Sequence, residues 1–91
     1  MGRYALFSNT TAGSNTAVGY QAIYANTTGT SNTALGREAL SSNTTGVENV
    51  AIGREAMDNN TSGGKNVAVG LHALLANTTA SYSTAPGWNA C

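Results

Sequence analysis

Aliphatic side chains recur along this chain at a fixed alternation of short and long steps. From one to the next, the steps alternate between five and twelve residues. The residues are Val18, Ile23, Leu35, Leu40, Ile52, Met57, Val69 and Leu74. Between them stand Gly, Ser, Thr and Asn, the residue types that favour turns. The two steps add to a repeat of 17 residues, and a period this short predicts a solenoid whose units bury their apolar faces against each other.

The polar positions mark where each unit begins. Every complete unit opens with Asn, then any residue, Ala, an aliphatic residue and Gly. The units start at Asn15, Asn32, Asn49 and Asn66. Residues 1–14 form a partial unit and residues 83–91 a degenerate one, in which Pro86 takes the aliphatic place and removes a backbone donor. We therefore predict a single repeat domain over residues 1–91 that ends in a cap, and we expect it to be a segment of a longer fibre.

Each unit has room for two short strands and two turns. A helical solenoid is excluded by length, because paired helices need repeats of about 30 residues or more. The fold is therefore predicted to be all-β, a β-solenoid of about five 17-residue coils. Two aliphatic side chains in each coil favour a flattened roll over a triangular helix built on hexapeptides.

Two further sets of residues recur at the same place in successive units. Glycines between the two strands are predicted to form tight turns, where a Cβ atom would be excluded. They are Gly19, Gly36, Gly53 and Gly70. Asparagines in the longer turn are predicted to pass amide hydrogen bonds from coil to coil as a polar ladder. They are Asn26, Asn43, Asn60 and Asn77.

The interior that these units can build is small. Alanine is the commonest apolar residue, and the chain has one Phe and one Trp. Two larger aliphatic side chains in each coil bury too little apolar surface to offset the ordering of 17 residues. Sparse charge, 9% of residues, leaves little repulsion between copies. We therefore predict an obligate oligomer in which sister chains cover a second apolar face.

One phrase of the repeat resembles a known family. The pattern [N/S]-x-A-[I/V]-G, followed three residues later by Ala, resembles the head repeats of YadA-like trimeric autotransporter adhesins. The matching stretches are Asn15 to Gly19 with Ala22, Asn49 to Gly53 with Ala56, and Asn66 to Gly70 with Ala73. The stretch from Asn32 to Gly36 departs from the pattern only by Leu35. The family's repeats are a few residues shorter, and the phrase L-x-x-N-T-T-G is also similar to repeats of phage tail fibres.

This resemblance implies more than the repeat itself predicts. It implies a left-handed parallel β-roll, a homotrimer, and an extracellular position at a cell surface or in a virion fibre. It also implies that the aliphatic residue before each tight-turn glycine lies in the interior or at the trimer axis. Those residues are Val18, Leu35, Ile52 and Val69.

The sequence carries no pattern that indicates catalysis. Formal net charge is zero, with four basic and four acidic residues scattered along the chain, which argues against nucleic acid as a partner. No apolar run is long enough to predict membrane insertion. Gly63, Gly64 and Lys65 lack the remainder of a phosphate-loop motif. We expect no enzymatic activity, cofactor or metal, and for Cys91 a free terminal thiol, with a bridge between chains as the alternative.

Charged and polar residues are expected at the surface. The pairs Arg37-Glu38 and Arg54-Glu55 are one repeat apart, so we expect unlike charges to meet diagonally between coils. His72 is predicted to make a surface or interchain polar contact, with a metal at a three-fold axis as the alternative. Neither contact indicates an active site.

A structural and adhesive segment of an extracellular trimeric fibre is the function that the sequence favours. A cell-surface adhesin head or a phage tail fibre would fit. Tyr20, Tyr24 and Trp88 are candidates for contact with a host-surface protein or glycan, although they could equally pack between chains. Two alternatives stay open: a self-assembling filament subunit, and an ice-binding solenoid that uses its columns of Thr.

Overall fold

Five short strands, one from each repeat, form one parallel sheet in chain order. The computed structural model describes residues 13–75, 78, 79, 81 and 83–87. The predicted residues Asn77, Trp88 and Cys91 lie outside this set. The strands are β1 (Thr16–Val18), β2 (Thr33–Leu35), β3 (Val50–Ile52), β4 (Val67–Val69) and β5 (Thr84–Pro86).

The strands pair in a register of one repeat. Ala17 of β1 lies opposite Ala34 of β2, and the same offset holds through to β5. A parallel strand every 17 residues requires the chain to return to the same point after each unit. The chain therefore winds as an all-β solenoid of about four turns, which confirms the fold class predicted from the period.

Each strand directs its middle residue inward and its two outer residues outward. The inward residue is alanine in all five strands, and each of these alanines is at most 2% exposed. Because neighbouring residues of a strand point to opposite faces, the aliphatic residue after each alanine must lie outside.

This alternation divides the predicted core residues into two sets. Val18 is 38%, Leu35 47% and Val69 39% exposed, and Ile52 is partly exposed. These residues lie outside the core of the single chain. The other half of the predicted core is buried within it: Ile23, Leu40, Met57 and Leu74.

The second strand predicted for each coil is absent from the described residues. After Gly19 the backbone turns instead, with Gln21 at φ 56° and Ile23 at φ 50°, in the left-handed region that interrupts a strand. Successive coils still pair along this segment, since the Ile23 N–H donates to the Ala39 carbonyl at 2.9 Å. The wall opposite the sheet is thus hydrogen-bonded without being a sheet.

The glycine between strand and turn sets how closely coils approach. Gly36 has φ +133°, and a Cβ atom there would lie 2.7 Å from the carbonyl carbon of Gly53 in the next coil. No larger residue fits that space without moving backbone. The same holds at Gly19, Gly53 and Gly70.

Candidate functional site

A ladder of asparagine side chains runs through the turn side of the interior. Asn43 Nδ2 donates to Asn26 Oδ1 at 2.9 Å, and Asn60 Nδ2 donates to Asn43 Oδ1 at 2.9 Å. All three side chains are fully buried. Buried amides are costly unless they are hydrogen-bonded, so this ladder fixes the stacking of the coils.

A second asparagine ladder precedes the strands. The Asn49 backbone N–H and Nδ2 both donate to Asn32 Oδ1, at 3.0 and 3.1 Å. The same arrangement links Asn66 to Asn49, and Asn66 Oδ1 accepts the N–H of Ser83 at 2.8 Å. Sequence reasoning used these asparagines only to mark the repeat. Their recurrence at the first position of every complete unit is the sequence feature that could have predicted this second ladder.

The two ladders meet on glycine carbonyls. Asn32 Nδ2 and Asn43 Nδ2 both donate to the Gly46 carbonyl, at 2.8 and 3.1 Å. A Cβ atom on Gly46 would collide with Asn43 Oδ1 and with the Gly63 carbonyl. Among the described residues, every buried side-chain nitrogen and oxygen has a hydrogen-bond partner. The buried polar side chains therefore hold the coils together.

Threonine hydroxyls in the turn also bond to the backbone of the next coil. Thr27 Oγ1 donates to the Thr44 carbonyl and Thr44 Oγ1 to the Thr61 carbonyl, both at 3.3 Å. The neighbouring column of Thr28 and Thr45 is exposed. The hydroxyls of Thr27 and Thr44 are thus hydrogen-bonded to backbone although Thr27 is itself exposed.

The outer face of the sheet carries an apolar column beside a second column of Thr and Val. We call the apolar column the apolar stripe, and its side chains are the last residues of the five strands: Val18, Leu35, Ile52, Val69 and Pro86. Beside it runs the first residue of each strand, of which Val67 is 38% exposed. Neither column contains a charged residue. An outward sheet face of this composition is typical of a surface that another protein covers.

Aromatic and charged side chains border the stripe beyond the glycine column. Tyr20 is 38% exposed, and the Arg37 guanidinium lies over its ring, 5.6 Å from the centroid. Leu71, at the same position of its own coil, is also 38% exposed. Tyr24, the other aromatic candidate among the described residues, is only partly exposed.

Ion pairs follow the border, but in an arrangement that differs from the expected diagonal one. Arg37 Nε lies 3.3 Å from its sequence neighbour Glu38, and Arg54 Nε lies 3.4 Å from Glu55. Two contacts join neighbouring coils: His72 Nε2 is 2.9 Å from Glu55 Oε1, and Lys65 Nζ is 3.9 Å from Glu48 Oε1. His72 thus has a partner within its own chain.

Asp58 lies near these carboxylates and titrates unusually. Burial raises its pKa from 3.8 to about 6, with Glu38 and Glu55 adding to the rise and His72 opposing it. A partly buried carboxyl that gains a proton near neutral pH makes the stability of the fold pH-dependent.

The surface of the described residues carries no pocket. No group of three or more His, Cys, Asp or Glu side chains in the described part of the chain could hold a metal ion. The same residues include no helix long and apolar enough to span a bilayer.

Comparison of the chain with protein-family models, with curated proteins and with solved structures finds no match. The resemblance to YadA-like head repeats stays a prediction that depends on the motif alone.

Proposed function

We propose that this chain is a structural and adhesive segment of an extracellular trimeric fibre, in which three chains associate through the apolar stripe. The segment would form part of a cell-surface adhesin head or of a phage tail fibre. In this proposal each chain is a left-handed β-roll of about five coils, and the sheet faces the common axis.

Exposure of the apolar stripe is the observation that supports association most directly. Leu35 is 47% exposed, and Val18 and Val69 are close to 40%. Packing such a side chain against a sister chain contributes about 1 kcal/mol when the remaining area leaves water. The contribution repeats in every coil, and no charge in the stripe opposes it.

The interior of the single chain supports the same proposal. Its core consists of small alanines and one larger aliphatic side chain for each coil, such as Ile23 or Leu40. Small cores of this kind rarely stabilise a chain without disulfides, metals or association. Sister chains would supply the missing apolar burial.

Adhesion is the more specific part of the proposal. Tyr20 stands beside the stripe with Arg37 over its ring, so an amphipathic aromatic side chain and a cation lie together at the surface. Such pairs contact proteins and glycans readily. Ice binding has less support, because the hydroxyls of Thr27 and Thr44 donate to backbone carbonyls.

Sedimentation velocity on the protein and two variants tests the association. Leu35→Lys places a charge in the middle of the stripe, whereas Thr45→Lys places the same charge in an exposed turn outside the sheet. We expect the unchanged protein and Thr45→Lys to sediment as trimers, and Leu35→Lys to dissociate or lose its fold. A stable, folded monomer of the unchanged protein would contradict the proposal, as would a trimer of Leu35→Lys as stable as that of Thr45→Lys.

A further inference from the structure

We infer that the coil of β5 is a built cap that stops another strand from adding to the end of the sheet. Pro86 and Ser83 lack hydrogen-bonding groups that a following coil would need for pairing. The equivalent positions of the other complete coils hold an aliphatic residue and Asn. The cap is expected to act whatever number of chains associate side by side.

The direction of the backbone hydrogen bonds identifies the first missing group. The Val67 N–H donates to the Ser83 carbonyl at 2.8 Å, and the Val69 carbonyl accepts the Gly87 N–H at 2.6 Å. The first and last residues of a strand therefore direct their polar groups toward the following coil, since the N–H and C=O of one residue point the same way in a parallel ladder. In β5 the last residue is Pro86, which has no N–H to offer.

The asparagine ladder before the strands ends in the same coil. In the preceding coils the Oδ1 atoms of Asn32 and Asn49 accept the backbone N–H of the next coil, at 3.0 and 3.1 Å. Ser83 occupies this position in the coil of β5, and its own N–H donates such a bond to Asn66 Oδ1. Its short hydroxymethyl side chain has no amide with which to repeat both bonds to a further coil.

The outer side of β5 is uncovered in the described part of the chain. A Cβ atom on Gly70 would lie 2.6 Å from the backbone of Gly87, but one on Gly87 would meet no atom within 4 Å. An uncovered strand edge is a template for pairing with another chain, and proline at such an edge is a means of blocking it. Pro86 and Ser83 together remove this hazard from an otherwise regular ladder.

The cap favours lateral association over growth along the axis. Copies of this chain would associate through the apolar stripe on the face of the sheet. That contact does not use the hydrogen-bonding edge of β5. The filament of coils stacked end to end, which the repeat alone leaves open, is disfavoured at β5.

Restoring the residues of the other coils tests the cap. Pro86→Val restores the backbone N–H, and the double variant Ser83→Asn/Pro86→Val restores the amide side chain as well. Val and Asn occur at the equivalent positions of other coils. Thr84→Val is the matched control, because it adds an apolar side chain to β5 but leaves every backbone donor unchanged. Electron microscopy and concentration-dependent light scattering report end-to-end growth, and circular dichroism reports folding.

We expect the double variant to form end-to-end assemblies with an association constant at least about tenfold above that of the unchanged protein. Pro86→Val should show a smaller rise, and Thr84→Val none. The inference is wrong if the unchanged protein already grows end to end, or if the folded double variant keeps the particle length of Thr84→Val.

Discussion

Asn43 donates a hydrogen bond from Nδ2 to Oδ1 of Asn26, 2.9 Å away and one repeat earlier in the chain. The same amide group also donates to the Gly46 carbonyl of its own turn, so one side chain joins two coils and closes a turn. Both residues are fully buried. An amide that bonds in both directions holds successive coils in register more specifically than alanine packing can.

Removing this amide is expected to be costly. Asn43→Ala removes the bonds that this buried amide makes with Asn26 Oδ1 and Asn60 Nδ2, and we expect the free energy of unfolding to fall by about 2 to 4 kcal/mol. Urea denaturation at one fixed protein concentration measures the change. The exposed neighbour Asn59 offers the control, since Asn59→Ala should change stability by no more than about 0.5 kcal/mol. Equal effects of the two substitutions would mean that the ladder does not stabilise the fold.

Glycine substitutions should divide into two groups by position. Gly36→Ala combines a φ of +133° with a Cβ that meets the Gly53 backbone at 2.7 Å, and we expect it to destabilise the protein by at least about 2 kcal/mol. Gly13→Ala is the control, because a Cβ there would meet no atom within 4 Å. Thermal denaturation of both variants measures the difference. A Gly36→Ala protein as stable as Gly13→Ala would exclude close coil contact at this column.

The buried aliphatic column offers a substitution that should stabilise. Ile23 has φ 50°, a left-handed conformation that a β-branched residue adopts with strain, while Leu40 stands at φ 53° one coil later. We expect Ile23→Leu to raise the free energy of unfolding by about 0.5 to 1 kcal/mol. The reverse change, Leu40→Ile, should lower it by a similar amount. Calorimetry would contradict the strain if both substitutions shifted stability in the same direction.

Stability is expected to depend on pH through Asp58. Its pKa is raised from 3.8 to about 6 by burial and by Glu38 and Glu55, so the folded chain holds this proton at a pH where the unfolded chain has lost it. The contribution of protonation is fully present below about pH 4 and is lost as the pH rises through about 6. Asp58→Asn should therefore be more stable than the unchanged protein above about pH 7 and show less change between pH 4 and 7.

The difference in stability between the two proteins is the quantity to measure, because it isolates the contribution of Asp58. Denaturation by urea at a series of pH values gives it directly. If the free energies of unfolding of Asp58→Asn and the unchanged protein differed by the same amount at every pH, Asp58 would not contribute to the pH dependence.

The period made the solenoid predictable, because a 17-residue repeat leaves room for strands and turns alone. It did not decide which of two adjacent apolar residues faces inward. Ala17 and Val18 point to opposite faces of one strand, and the spacing of larger aliphatic residues predicts Val18 as the core residue. In the structure alanine holds the inward position of every strand, in one buried cluster with Ile23 and its equivalents.

The backbone of that opposite wall was beyond sequence reasoning for a separate reason. Glutamate, histidine, leucine and methionine rarely adopt positive φ, yet Glu38, Leu40 and Met57 all do so here. Their N–H groups donate to neighbouring coils, Glu38 to the preceding one and Leu40 and Met57 to the following one, and those bonds exist only once the coils have stacked. Local propensity therefore predicted a strand where tertiary pairing selects a turn.

The ladders join residues 17 positions apart, from Asn26 to Asn43 to Asn60. Duplicating or deleting a whole internal unit of the gene would therefore reproduce every type of contact already present. Length becomes a trait that recombination can adjust in increments of about 4.8 Å, one for each unit gained or lost. A gain or loss of internal units would leave the β5 residues Ser83 and Pro86 unchanged.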